Sequence, residues 1–453
     1  MRVLIQVRPS PDLVAAVADP TVAVTASDVA DGLPGVVLDH AFAPVAVPRP
    51  VPATPGADPL SLNQPLTFSM RPDEASVVVC GEIADDEIST RVSLLPMTRR
   101  EVVAVYADPV IESCLTCGDD PAVGDWHDVE RLLHVAELAD EGLDGGGVAL
   151  AVVDTGINAA HAERVLGHEI TVDEDRSWSP HGVSGKPGEH PIDHGTMCAF
   201  DALIAAPKAS LLDIPVLLSR RRGGSTLDGL LSDAIAAYAH LRDVLEAQPA
   251  RSRALVVSNS WGSFSPRWDF PPGSPGNYSD NPAHPFNLIV GSLAEAGADI
   301  LFAAGNCGRD CRDSRCAFPD RPIVGANSHP KVLSIGGIDT NGARVGYSSQ
   351  GPGRLTERKP DLCAYTHFAG SQAFGDTEPD SGTSAACPVA AGLVAAVRTL
   401  WPSAKLSASQ LRTLLRRTAD DRSDVGYDHD YGYGVVDAAG VIAALRRRAA
   451  RAA

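Results

Sequence analysis

Ser381-Gly382-Thr383-Ser384-Ala385-Ala386-Cys387-Pro388-Val389-Ala390-Ala391-Gly392 sets a hydroxyl among small residues, then runs into an unbroken apolar segment, 389–397. A helix that is apolar on every face is a buried one. If it starts near Ser384, Pro388 falls in or just past the first turn, where a missing N–H costs little. Ser384 then stands at a helix N-terminus, where backbone N–H groups and the helix dipole favour negative charge. A serine so placed is set to attack a carbonyl and hold the resulting oxyanion. The plainer reading is a tight Gly/Ser turn capping a core helix. The rest of the chain decides between them.

Working outward, apolar segments at 148–153, 211–217, 254–258, 300–304 and 332–335 read as buried strands. Helical patterns lie near them at 129–141, 196–205, 227–245 and 285–296, and two more follow at 406–418 and 435–445. Buried strands alternating with helices predict an α/β fold whose mostly parallel sheet is covered on both faces. Functional residues in such sheets gather at the carboxyl ends of strands. Before this region, a strand over 2–8, a strand over 76–80, a helix over 85–95 and a strand over 101–106 predict a small α+β domain spanning 1–113. Residues 11–47 show only weak periodicity, and the proline-rich 47–66 reads as a loop. Residues 114–125 read as a linker and 447–453 as a basic tail, leaving 126–446 as the main domain.

Three polar residues stand where buried segments emerge. Asp154 follows the apolar run 148–153, His194 opens a helix in Asp193-His194-Gly195-Thr196, and Asn306 follows 300–304. Singly, each reads as a cap or turn residue. Together with Ser384 they supply the parts of acyl transfer. A serine hydroxyl needs a base to take its proton, and a neutral imidazole does so near pH 7. A buried carboxylate orients that imidazole and stabilises the imidazolium. A carboxamide N–H and a backbone N–H bind the oxyanion. An α/β-hydrolase would place its serine in Gly-x-Ser-x-Gly, with acid and histidine after it. Here Ala386 replaces the second glycine and both partners come first, so that fold is excluded.

The motifs Val152-Val153-Asp154-Thr155-Gly156-Ile157, His194-Gly195-Thr196, Ala303-Ala304-Gly305-Asn306 and Gly382-Thr383-Ser384-Ala385-Ala386-Cys387-Pro388 occur in that order. With them the chain resembles the subtilisin-like serine proteases, the subtilases of peptidase family S8. Tyr431-Gly432-Tyr433-Gly434-Val435-Val436-Asp437-Ala438 resembles that family's closing segment. The resemblance implies a three-layer α/β/α fold, a triad of Asp154, His194 and Ser384, and an oxyanion hole at Asn306. Ser260, Trp261 and Gly262 resemble the family's edge strand, which pairs with an extended peptide by strand addition. Residues 1–113 resemble its propeptide, with 102–112 as the last strand. This implies an intramolecular inhibitor, either kept attached as a regulatory domain or released by cleavage within about 112–125. The function implied is a serine endopeptidase acting on a peptide or protein substrate through an acyl-enzyme. Two alternatives use the same site: a peptide-maturation protease or macrocyclase that hands the acyl group to an amine, and a peptide-binding pseudoprotease.

The chain departs from the family where Met197 and Cys198 replace a histidine and a valine, and where Cys387 replaces methionine or threonine. The family's calcium loop has no counterpart in 197–207, so no calcium site of that type, no other metal and no cofactor are expected. Cys307, Cys311 and Cys316 crowd the loop after Asn306, and Cys114 and Cys117 form a C-x-x-C. Structural zinc needs about four converging ligands; a local disulfide or reduced thiols shaping the loop fit three cysteines at wide spacing better. Of the acidic groups there, Asp310 and Asp313 read as solvated. Residues 263–285 read as a lid or rim. A net charge of −19 argues against nucleic acid or an anionic membrane as partner. No apolar run reaches membrane-spanning length, and the N-terminus shows no secretory signal. The expectation is a cytoplasmic protein whose nine cysteines default to thiols.

Overall fold

Seven strands form the central sheet of the computed structural model, which describes residues 1–52, 66–113, 116, 120–218, 228–312, 314–423 and 425–452. Their order is Thr171–Val172, Ser210–Ile214, Ala149–Val153, Leu255–Asn259, Asp299–Ala303, Leu333–Ile338 and Leu362–Tyr365, and every neighbouring pair is parallel. Period-two alternation splits the four strands 210–214, 149–153, 255–259 and 299–303 between two cores. Leu150 and Val152 join the core beneath the helices His194–Leu203 and Thr383–Arg398. Ala149, Ala151 and Val153 join the core beneath Leu231–Ala247 and Pro285–Ala296. The result is the expected three-layer α/β/α arrangement. Two strands escape the sequence pattern: Thr171–Val172 is only two residues long, and Leu362–Tyr365 lacks β-branched residues.

The expected helix over 129–141 is two helices, Trp126–Leu132 and Val135–Asp140. His134 breaks them with a left-handed φ of 51°. The apolar spacing runs across the break, so periodicity does not mark it. The expected basic tail over 447–453 is exposed along its described residues and, up to 452, is helical. Helix Ala438–Ala452 carries straight through those arginines, and Arg446 pairs with Glu141 at 2.7 Å. Helix formers such as Ala and Arg continue a helix whether or not its surface is charged.

The N-terminal unit is a sheet centred on Arg2–Val7, flanked antiparallel by Ser76–Glu82 and Val102–Ala107. Val37–Leu38 and Val45–Val47 add to the far edge of Ser76–Glu82. The weakly periodic 11–47 therefore holds strands, and also the helices Pro11–Ala18 and Ala26–Val29. The helix expected at 85–95 is Ile88–Thr98, with the acidic residues before it instead of in its first turn. The proline-rich stretch is not all loop, since Arg49–Pro52 pairs antiparallel with Leu66–Ser69; residues 53–65 lie outside the described residues.

Alternation also orients this small sheet. Val3, Ile5 and Val7 face its own helices, while Leu4, Val78, Cys80 and Tyr106 share a core with Leu231, Ile235 and Ile289 of the main sheet's outer helices. Asp108 completes the join. Its carboxylate accepts the Ser232 N–H at 2.8 Å and the Ser232 Oγ–H at 2.9 Å, capping the start of Leu231–Ala247. Residues 263–285, expected as a lid or rim, pack against the N-terminal unit. Phe270 packs into that unit's own core, and the Gly276 carbonyl accepts the Ala107 N–H at 2.9 Å.

Candidate active site

Beyond Asp108 the chain enters a third sheet. Val110–Ser113 lies antiparallel between Asp228–Leu230 and Trp261–Gly262, with Ser113 opposite Trp261, and Glu112 opposite both Gly262 and Asp228. This is the edge strand expected to take a peptide, and a segment of the same chain fills it. Ser260, the residue before Trp261, turns its carbonyl to the Ser384 hydroxyl at 3.4 Å.

Asp154 and His194 are brought together by the ends of two buried elements. Strand Ala149–Val153 delivers Asp154, and His194 opens the helix His194–Leu203 behind the N-cap Asp193. His194 Nδ1 lies 2.7 Å from Asp154 Oδ1, and both side chains are buried. The Thr155 N–H also donates to Oδ1 at 2.8 Å, which holds the carboxylate in place. Burial acts to lower the His194 pKa; the Asp154 charge, its hydrogen bond and the Asp193 charge outweigh it, so the imidazole stands above its ordinary 6.5. His194 Nε2 is buried without a hydrogen-bond partner. Gly195 makes this approach possible, because a Cβ there would collide with the Gly156 carbonyl oxygen. Gly195→Ala is expected to force the helix off the strand end, costing about 1–3 kcal/mol by overpacking. A urea unfolding midpoint equal to wild type would contradict this.

Ser384 occupies the second position of helix Thr383–Arg398, after Gly382 at φ 78°. Pro388 falls past the first turn and has no N–H for the Ser384 carbonyl. That carbonyl instead accepts the Ser260 Oγ–H at 2.9 Å and a weaker Cys198 S–H at 3.6 Å. Asn306 Oδ1 accepts both the N–H and the Oγ1–H of Thr383, at 2.9 and 3.0 Å. Its Nδ2 therefore points the other way, and a Cβ added to Gly382 would stand 2.8 Å from it. The expected residues Asp154, His194, Asn306, Ser384, Ser260, Trp261 and Gly262 thus converge at one end of the sheet.

Sequence reasoning missed the role of Cys198. One helical turn after His194, its Sγ lies 3.6 Å from Asp154 Oδ2 as well as from the Ser384 carbonyl. Burial, then the Asp154 charge, push this thiol well above its ordinary range, so it stays a neutral donor. Its spacing of four from His194 was the available signal. Of the two readings for the next loop, the local disulfide holds and the default of reduced thiols does not: Cys307 and Cys316 form a disulfide and Cys311 is also disulfide-bonded. Thiols joined in this way are not ligands for zinc. Asp310 stands exposed as expected and also pairs with Arg344. Asp313, Cys114 and Cys117 lie outside the described residues.

The model of the subtilase family matches residues 145–434. Subtilisin DY of Bacillus licheniformis is 27% identical over 314 residues, which cover 68% of this chain and 94% of that protein. Serine protease AprX of Bacillus subtilis is 27% identical over 347 residues, covering 67% and 69%. Furin of Bos taurus is 26% identical over 346 residues, covering 69% of this chain and 39% of furin. The matched region holds the seven-stranded sheet and the whole convergence around Ser384, and the chain belongs to the subtilase family of serine proteases.

Proposed function

We propose that the chain is a serine endopeptidase held in check by its own N-terminal unit. The observation that carries this is the strand Val110–Ser113, an extended peptide paired in the edge-strand cleft and ending one residue from Ser260, which touches Ser384. A substrate strand would enter in the same register. Ser384 Oγ bonds to the scissile carbonyl carbon as its proton passes to His194 Nε2. Asp154 stabilises the imidazolium through Nδ1. Asn306 Nδ2 and the Ser384 N–H hold the oxyanion. The C–N bond then breaks as His194 returns the proton to the leaving amine, and water hydrolyses the acyl-enzyme by the same steps.

The buried, unpartnered Nε2 fits a base waiting for its hydroxyl, since catalytic hydrogen bonds often tighten only once substrate binds. The N-terminal unit supports its own placement through three contacts at once: the Asp108 cap, the shared apolar core and the paired tail. Cleavage within 112–125 would end the tail's attachment.

The test is peptide hydrolysis by the full chain and by Asn306→Ala. Wild type should give products whose summed mass exceeds the peptide by one water, which a macrocyclase would not add. Asn306→Ala should lower kcat by about 10²–10³-fold with KM little changed, because the oxyanion exists only beyond the ground state. Equal kcat in both proteins would remove Asn306 from the mechanism. A wild type that still binds peptide and leaves it intact after proteolytic removal of residues 1–113 would make the chain a pseudoprotease.

A further inference from the structure

The loop 307–316, closed by the Cys307–Cys316 disulfide, reaches back over the peptide strand. Arg315, next to that bond, places Nη1 2.6 Å from Glu112 Oε2 and Nη2 2.7 Å from the Ser113 carbonyl oxygen. One guanidinium therefore grips a side chain and the following main-chain carbonyl of the strand in the cleft. The ion pair is largely sheltered, with the two side chains 25% and 10% exposed. Charge-assisted bonds of this kind are roughly twice as strong as neutral ones.

The other neighbour of Glu112 has the wrong charge for it. Asp228 sits directly opposite in the antiparallel register, and like charges in such a pair repel. Arg315 therefore offsets the repulsion that Asp228 exerts on an acidic residue at this position. The preceding residue, Ile111, points to the opposite face of the strand and is fully buried in the apolar core that includes Trp261 and Leu231. The cleft thus distinguishes two adjacent positions, one by apolar burial and one by charge.

We propose that Arg315 is a specificity-determining residue, selecting peptides with a carboxylate side chain where Glu112 lies and an aliphatic residue immediately before it. The proposal rests on the reading that a substrate takes the place of Val110–Ser113. The acidic Asp310 of the same loop pairs with Arg344. The chain's own tail carries the sequence the cleft selects, so it serves as a pseudosubstrate as well as a plug.

The experiment uses the full chain, with reactive serine counted by fluorophosphonate labelling. Quenched fluorescent peptides carry Val-Ile-Xaa-Ser followed by the chain's own residues 114–118, with Glu, Gln or Lys as Xaa. Ratios of kcat/KM between peptides cancel any remaining inhibition by the N-terminal unit. Wild type should prefer Glu over Lys by at least about tenfold, the scale of a sheltered charge pair. Arg315→Ala should lose that preference, and Arg315→Glu should reverse it in favour of Lys, because Asp228 remains. A variant that merely misfolded the loop would lower all three rates together and could not reverse their order. Equal rates for the three peptides, or a Glu preference unchanged in both variants, would overturn the role of Arg315 while leaving the protease reading intact. A serine that stays unlabelled after proteolytic removal of residues 1–113, together with no cleavage of any peptide, would overturn the protease reading, and this proposal with it.

Discussion

Ser384→Ala is expected to abolish peptide hydrolysis and leave the purified chain at full length on a gel, while the wild type is shortened by a cut within 112–125. Loss of the nucleophile from a serine triad lowers kcat on the order of 10⁶-fold, a scale known from this enzyme class. The fold should hardly notice the change. Ser384 Oγ makes a single long bond, 3.4 Å to the Ser260 carbonyl, and losing one such bond costs about 1 kcal/mol or less. The Ser384 carbonyl, which holds Ser260 and Cys198 in place, is untouched. A thermal melt close to wild type should therefore accompany the loss of activity. The same shortened product from both proteins would mean that another protease makes the cut, and residual hydrolysis at the wild-type rate would remove Ser384 from the chemistry.

Asp154→Asn should lower kcat on the order of 10⁴-fold, the scale for losing the carboxylate behind a triad histidine. The substituted carboxamide fits the space, but the charge that stabilises the imidazolium is gone. The pH profile gives a second reading of the same change. His194 acts as a base only when neutral, so wild-type kcat/KM should rise with pH through a midpoint above the ordinary imidazole value of 6.5. Burial pulls that midpoint down, and Asp154 supplies the first two of the contributions that pull it up. In Asp154→Asn the rise should move to lower pH, even as its plateau falls. A midpoint that stays put would show that the limb reports a group other than His194.

Asp154, His194, Asn306 and Ser384 were legible because each sits inside a short motif, and each motif marks where a buried strand ends or a buried helix begins. The parallel sheet was legible for a similar reason: strands buried on both faces write continuous apolar runs. What stayed hidden depends on partners far along the chain. Nothing near Arg315 in sequence indicates that it meets Glu112 and Ser113, and nothing near Ser232 points to Asp108. Leu362–Tyr365 is a strand because a sheet edge was waiting for it, and its own residues hardly favour one. The break at His134 lies in a backbone angle that the apolar spacing does not record.

The carboxylate of Asp108 on the start of Leu231–Ala247 has a consequence for timing. If the N-terminal unit is the plug proposed above, it faces the cleft of the intact chain at an effective concentration of roughly millimolar, set by its tether. A cut alone does not remove it, since the helix start still wants an anion and two helix faces still want apolar cover. It does turn the plug into a separate ligand that obeys mass action. Freshly cut protein at high concentration should then stay silent, and the same sample should gain activity on dilution, so that the concentration of the cut protein would set when activity begins.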